Sequence, residues 1–199
     1  MTNNVKPADP TPHDPHSWAS DLATLHAQIW ARLVRGIRDR HAPARHPTLA
    51  TVSPAGWPEA RTVVLRAANE IEGTLDIHTD LRSAKVAALR NNPRAEIHIW
   101  DGSAHLQTRI EVMITILTGD PVAAYWEKLP EPGRQNYGTT PAPGEPIADS
   151  LAYVKQPDQS IYAVLYCRVQ AIDAVHLGPQ HRRARFDYTN NKMGQWLVP

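Results

Sequence analysis

The stretch TLATVSPAGWPEARTVVLRA, Thr48 to Ala67, sets the architecture. Two runs rich in β-branched residues, TLATVS and EARTVVLRA, flank PAGWP, whose Pro and Gly favour a tight reversal, so the segment predicts a β-hairpin. The same alternation of strand and punctuation continues through GTLDIHT, RAEIHIW, HLQTRIEVMITI, QSIYAVLYCRVQAIDAVHL and RRARFDY, with GQWLVP at the end. Three helical patterns interrupt it. Ser20 can cap a first helix whose apolar positions Leu22, Leu25, Ile29, Trp30, Leu33, Val34 and Ile37 recur at three- and four-residue steps. Pro43 and Pro47 forbid its continuation. SAKVAALRNN is the second, and DPVAAYWEKL the third, with Asp120 as cap and Pro121 in the first turn. Hairpins with few crossovers predict a mainly β chain with flanking helices, its antiparallel sheet closing into a barrel.

The chain has 199 residues, enough for one domain with a real core, and its 42% hydrophobic content is that of a globular protein. The expected division is a flexible N-terminal arm over residues 1–17, rich in Pro, Asn, Asp and His, and a single domain over 18–199. Twenty-one Lys and Arg face 20 acidic residues, a net charge of +1, so no global field draws in nucleic acid or an anionic membrane. No run reaches the roughly 18 apolar residues of a membrane span, and the N-terminus has no apolar signal region; a cytoplasmic protein is expected. Cys167, alone in an apolar run, reads as a buried structural thiol.

The segment IHTDLRSAK, Ile77 to Lys85, ends a strand with hydroxyls and cations around a helix start. Thr79, Arg82, Ser83 and Lys85 form a set suited to a phosphate monoester, to which the helix start adds free N–H groups. A helix cap with a solvated face is the equally economical reading of RSAK. RTVVLR, read as one strand, places Arg61 and Arg66 on opposite faces, available to the same anion or simply snorkelling. Gln107, alternating with Leu106 and Thr108, can both donate and accept at a heterocycle edge. Ten histidines invite a metal or heme, but none shows the spacing of a zinc helix and a lone cysteine builds no thiolate site, so no metal is expected.

In their order, RTVVLR, HTDLRSAKVAALRNNPRAEIHIW, LQTRIEV, HRRARF and WLVP resemble the pyridoxamine 5'-phosphate oxidase family of FMN-binding split β-barrel proteins, over about Thr48 to Pro199. The resemblance implies a homodimer with FMN at the subunit interface. It implies that Arg61, Val63, Val64, Leu65 and Arg66 line the flavin, with backbone groups of Val63 and Leu65 near the ring. It pairs His78 with Thr79, puts Lys85 on the phosphate with Arg82 in place of an arginine that falls on Ala84, and places Gln107, Arg185 and, by the LGPQ turn, His176 against the cofactor. The family's substrate pattern is broken: Tyr125 and Arg182 match, but an arginine and a serine fall on Leu129 and Gly133, and a histidine falls on Ala184 or a one-residue gap. Arg134, Asn136, Tyr137 and Thr140, in a long Pro/Gly loop, are further candidates through the same resemblance.

The leading expectation is therefore an FMN-dependent oxidoreductase acting on an unidentified small molecule, with no assigned general base. The alternatives are a genuine pyridoxamine or pyridoxine 5'-phosphate oxidase and a flavin or heme carrier without turnover.

Overall fold

A computed structural model describes residues 15–199. Most of the expected arm lies outside the described residues; its last residues are packed, Ser17 opening a short turn while the His16 ring lies 5.1 Å from that of His176. The first helix, α1 (Leu22–Arg38), is capped by Asp21 rather than Ser20: the Thr24 N–H donates to Asp21 Oδ1 at 2.9 Å. Its buried stripe of Leu25, Ile29, Trp30 and Leu33 is at most 1% exposed and lies on the barrel core. Each such side chain contributes about 1.5–3 kcal/mol by leaving water. Trp30 Nε1–H donates to the Tyr188 hydroxyl at 2.6 Å, which satisfies the one polar atom this stripe buries.

The strands are β1 (Thr48–Val52), β2 (Pro58–Thr62), β3 (Leu65–Asn69), β4 (Thr74–Asp80), β5 (Arg94–Asp101), β6 (Leu106–Leu117), the two-residue β7 (Thr139–Thr140) and β8 (Val154–Lys155), β9 (Tyr162–His176), β10 (Arg182–Asp187) and β11 (Met193–Leu197). The helices α2 (Ala84–Asn91), α3 (Asp120–Lys128) and the single turn α4 (Glu131–Arg134) complete the list. The main sheet runs β11-β10-β9-β6-β5-β1-β2, all antiparallel.

β9 is the keystone. One edge pairs with β6 along almost its whole length, Val164 to His176. The other edge is shared: β4 takes Tyr162–Arg168 and β10 takes Ala171–His176. The sheet therefore forks at β9, which is the split antiparallel barrel expected from the sequence. A register shift at Glu111/Val112 lets the long strand bend where its partner changes.

RTVVLR is not one strand. β2 stops at Thr62 and β3 starts at Leu65: the Val63 N–H still donates to the Pro47 carbonyl at 3.0 Å, one step beyond the Thr48–Thr62 pair, but Pro47 has no N–H to return and the ladder with β1 ends there. A second irregularity between Leu65 and Ala67 sets Arg66 at a bulge, with Leu65 fully buried in the core. In α3 the cap residue is Gly119, with Asp120 one position inside. α3 covers the outer side of β4 and β9 through a second apolar cluster, Val122, Trp126, Leu129, Tyr137, Tyr162 and Val164. Cys167 is fully buried in the first cluster, and burial pushes its thiol pKa well up, as expected of a structural thiol. No described helix is long and apolar enough to cross a membrane.

Candidate functional site

The end of β4 and the start of α2 meet at a cavity of about 410 Å³. Its floor is Thr79, Asp80, Ser83 and Lys85, its wall Thr62, Val63, Val64, Arg66 and His78, and its roof Asn136, Tyr137 and Pro143 from the long loop. The wall comes from the break between β2 and β3: Val63 and Val64 belong to neither strand, and both line the cavity.

On the floor, Lys85 Nζ donates to Thr79 Oγ1 at 3.1 Å, and the Thr79 and Ser83 hydroxyls share a hydrogen bond of 3.2 Å. Ser83 occupies the cap position of α2, yet its side chain makes no capping bond; it faces the cavity. The plain cap reading of RSAK therefore does not describe Ser83. Burial, followed by the neighbouring Arg61, lowers the Lys85 pKa, with Asp80 opposing. Among the described residues no carboxylate forms an ion pair with Lys85 or Arg66, whereas Arg61 pairs with Glu59 at 2.7 Å and also donates to Thr51 Oγ1. The Arg66 Nε–H is buried without an acceptor. This is a donor-rich, partly desolvated pocket whose lining carboxylate, Asp80, is already engaged by the Arg82 guanidinium.

Arg82, expected beside Lys85 on the anion, is committed elsewhere. It forks onto Asp80, Nε to Oδ1 at 3.1 Å and Nη2 to Oδ2 at 2.7 Å, and it does not line the cavity. Asp80, 5% exposed, is a better partner than solvent because it sits two residues away at the strand end.

His78 Nδ1 lies 2.8 Å from the Tyr162 hydroxyl, while Nε2 is buried with no partner. Donation by the phenol to Nδ1 leaves one orphan, the Nε2–H, whereas the opposite tautomer leaves two, the phenol proton and the Nε2 lone pair. The proton therefore resides on Nε2. Burial, with Arg66 adding to it, lowers the His78 pKa to about 4. Because the folded value lies below the unfolded one, the unfolded chain binds the proton first as pH falls. Stability is then lost between about pH 6.5 and 4, on the order of 2–3 kcal/mol across the window. Urea unfolding of wild type and His78→Gln at pH 7 and pH 4.5 checks this: the wild type loses more stability, and parallel losses would rule out His78 as the cause. Asp76, whose pKa is raised by burial, opposes the trend in both proteins alike and cancels in the comparison.

Tyr125 does not reach the cavity. Its hydroxyl donates to the buried Asp76 Oδ2 at 3.2 Å and its ring packs against the second apolar cluster. Leu129 is buried in that cluster too.

A second group of expected residues sits on another face. Gln107, Arg109 and Glu111 alternate on β6 with the buried Leu106, Thr108 and Ile110, so they point away from the core. In register across the sheet, Trp100 pairs with Gln107 and Gln107 with Val175, while Arg109 pairs with Asp173 and Asp173 with Arg185. Arg185 grips Glu111 with both Nη atoms, at 2.7 and 3.0 Å, and Asp173 takes Arg109 and Arg183 at 3.0 and 2.8 Å. Trp100 is 46% exposed here, and Arg109 Nε is buried with no partner.

His176 and Arg182 belong to neither group. His176 is 1% exposed on the core side, its Nε2 3.0 Å from His16 Nδ1, and Arg182 Nη1 donates to its Nδ1 at 3.3 Å. Within one chain they do not join Gln107 and Arg185, which corrects the expected grouping. Among the described residues no three His, Cys, Asp or Glu side chains gather into a possible metal site.

The family model described as pyridoxamine 5'-phosphate oxidase, FMN-binding domain, matches residues 15–118. The pyridoxine/pyridoxamine 5'-phosphate oxidase of Alkalilimnicola ehrlichii is 36% identical over 83 residues, 42% of this chain and 41% of that protein. Pyridoxine/pyridoxamine 5'-phosphate oxidase 2 of Arabidopsis thaliana is 32% identical over 95 residues, 46% of this chain and 48% of that protein. The match thus spans less than half the length of these curated relatives. A solved pyridoxamine 5'-phosphate oxidase-related, FMN-binding protein of Nostoc punctiforme superposes with a TM-score of 0.73 at 28% identity, covering 90% of this chain and 100% of that one. PhzG from Burkholderia lata superposes at 0.67 with 16% identity, covering 89% and 92%, a likeness of fold alone.

Proposed function

This chain belongs to the pyridoxamine 5'-phosphate oxidase family and carries its FMN-binding domain, and from that premise we propose that it is an FMN-dependent oxidoreductase acting on a small molecule as a homodimer. The observation that carries the reading is the cavity floor. Lys85, Thr79 and Ser83 converge on one point, and the pocket holds more donors than the protein supplies acceptors for. A ribityl phosphate brings close to two negative charges and three acceptor oxygens, which matches that shortage.

The residues fit the group. Lys85, Thr79 and Ser83 hold the phosphate, with Arg61 adding positive potential behind them. Val63 and Val64 give the ring an apolar wall, and His78 offers its Nε2–H. Asn136 and Tyr137 exclude water from above. Gln107 and Arg185 lie on the outer sheet face of the same chain, so they serve a cofactor seated in the partner's cavity. Bound FMN supplies two-electron redox chemistry; the chain's own part is to anchor, orient and shield it.

A phosphorylated vitamin is a poor substrate for this pocket. Tyr125 is tied to Asp76, Leu129 is core, and Gly133 offers no side chain, so an anion placed there would lack partners. The substrate is accordingly a different small molecule. The curated relatives' names favour a second reading, true pyridoxamine 5'-phosphate oxidation, with Arg66 as the main anion contact.

Fluorescence titration of flavin-free protein with FMN tests the cofactor, the expected result being tight stoichiometric uptake; protein that takes up no FMN sinks the proposal. Oxygen consumption with pyridoxamine 5'-phosphate separates the two substrates, with rapid turnover favouring the second reading. Reduction of the bound flavin by no donor at all would instead favour a carrier.

A further inference from the structure

The roof of the cavity is a loop with its own small frame. β7 pairs with β8, Thr139 opposite Lys155 and Thr140 opposite Val154. The Gln156 N–H donates to the Gly138 carbonyl at 3.0 Å and the Asp158 N–H to the Tyr137 carbonyl at 3.1 Å. Gly138 is required there: its φ is +126°, and a Cβ would stand 1.7 Å from the Gln156 carbonyl oxygen. Asn136 and Tyr137, directly before this frame, and Pro143, after it begins, face the cavity.

One side chain from the cavity's base reaches that frame. Arg82 Nη2, besides its bond to Asp80, donates to the Thr139 carbonyl at 2.9 Å. The Arg82 N–H also donates to Asp80 Oδ1, at 2.8 Å, so backbone and guanidinium are held by one buried carboxylate. The result is a rigid bracket: Asp80 at the strand end, Arg82 across the gap, Thr139 in the roof. With its charge matched by Asp80, Arg82 adds little attraction for a phosphate.

We propose that Arg82 is a positioning residue, a latch that fixes the roof over the phosphate end of the cavity and sets how fast a bound flavin leaves. This rests on the reading of the cavity as the FMN site. It assigns Arg82 a role different from that of Lys85, which meets the phosphate itself. Breaking the latch frees Asn136 and Pro143 to swing away while Tyr137 stays packed in the second apolar cluster, so departure is faster whether or not the flavin carries a phosphate.

The test compares release of FMN and of riboflavin, by stopped-flow fluorescence, from wild type, Arg82→Ala and Arg82→Lys. Arg82→Ala is expected to speed release of both flavins by the same factor, about tenfold. Arg82→Lys, which keeps a donor for the Thr139 carbonyl, recovers part of the effect. Faster release of FMN with riboflavin unchanged would make Arg82 a phosphate ligand and overturn the proposal, as would no change in either.

Ligand-free protein gives an independent readout through chymotrypsin cleavage after the exposed Leu151 and Tyr153. Arg82→Ala should be cut several-fold faster than wild type at a temperature well below the melting transition of either protein, and equal cleavage overturns the latch without reference to any flavin. Wild-type protein that binds neither flavin would instead overturn the FMN reading, and is recognised before any variant is made.

Discussion

Lys85→Ala lowers the affinity for FMN by about 100-fold while leaving riboflavin affinity within about twofold. The reason is where the ammonium stands. It is partly desolvated, next to Arg61, and its nearest bonded partner is a neutral hydroxyl 3.1 Å away. A buried cation without a counter-ion burdens the ligand-free fold, and a phosphate dianion relieves that burden with a charge-assisted bond. Riboflavin, lacking the phosphate, draws no such benefit. The ligand-free variant therefore melts at the same temperature as wild type or slightly higher. Fluorescence titration with both flavins, beside a thermal melt, provides the check. Equal loss for FMN and riboflavin would show that Lys85 supports the fold rather than the phosphate.

The pH dependence has a definite sign. Lys85 titrates below its ordinary range in the empty cavity, and a bound dianion favours its protonated form. FMN affinity should hold at neutral pH and fall as pH rises through the lowered Lys85 value, binding taking up as much as one proton per phosphate only above that value. Riboflavin should show no such decline.

Mixing two damaged homodimers should restore binding. If each site joins the cavity of one protomer to the Gln107/Arg185 face of the other, Lys85→Ala and Arg185→Gln each spoil every site in their own homodimer. In a heterodimer, one site carries both lesions and the other carries none. Random exchange of equal amounts gives half heterodimers, so about a quarter of all sites regain wild-type affinity. Flavin stoichiometry after exchange in mild denaturant measures that fraction, with light scattering to report mass. No recovery would mean that both sets of residues serve a site within one chain.

The face itself argues for a cover. Trp100 is half exposed, Arg109 Nε is buried yet unpaired, and Asp173 carries two arginines. A solvent-facing sheet needs none of these features.

How far the sequence reached depended on the range of the interaction. The strands and helices declared themselves through period and punctuation, and the alternation of β6 already put Gln107 on the side away from the core. The break in RTVVLR was invisible locally, because the β1 ladder ends on the missing N–H of Pro47, sixteen residues before Val63. The clustering of Thr79, Ser83 and Lys85 was legible because all three lie within one strand end and helix start. The diversion of Arg82 had a signal, Asp80 two residues before it, that outweighs a distant anion. His176 meeting His16 was beyond reach, since the two lie 160 positions apart. The fork of the sheet came from family resemblance, as no local pattern tells which strand will be shared by two others.

That shared strand has a consequence for biosynthesis. A nascent chain can form the hairpins of the matched span 15–118 early, but β4 and β6 then wait with bare edges until Tyr162–His176 leaves the ribosome. Exposed edges of this kind invite sticking to other polypeptides. The span recognised as a domain is thus no autonomous folding unit, and translation must proceed well past its boundary before the polypeptide is safe from aggregation.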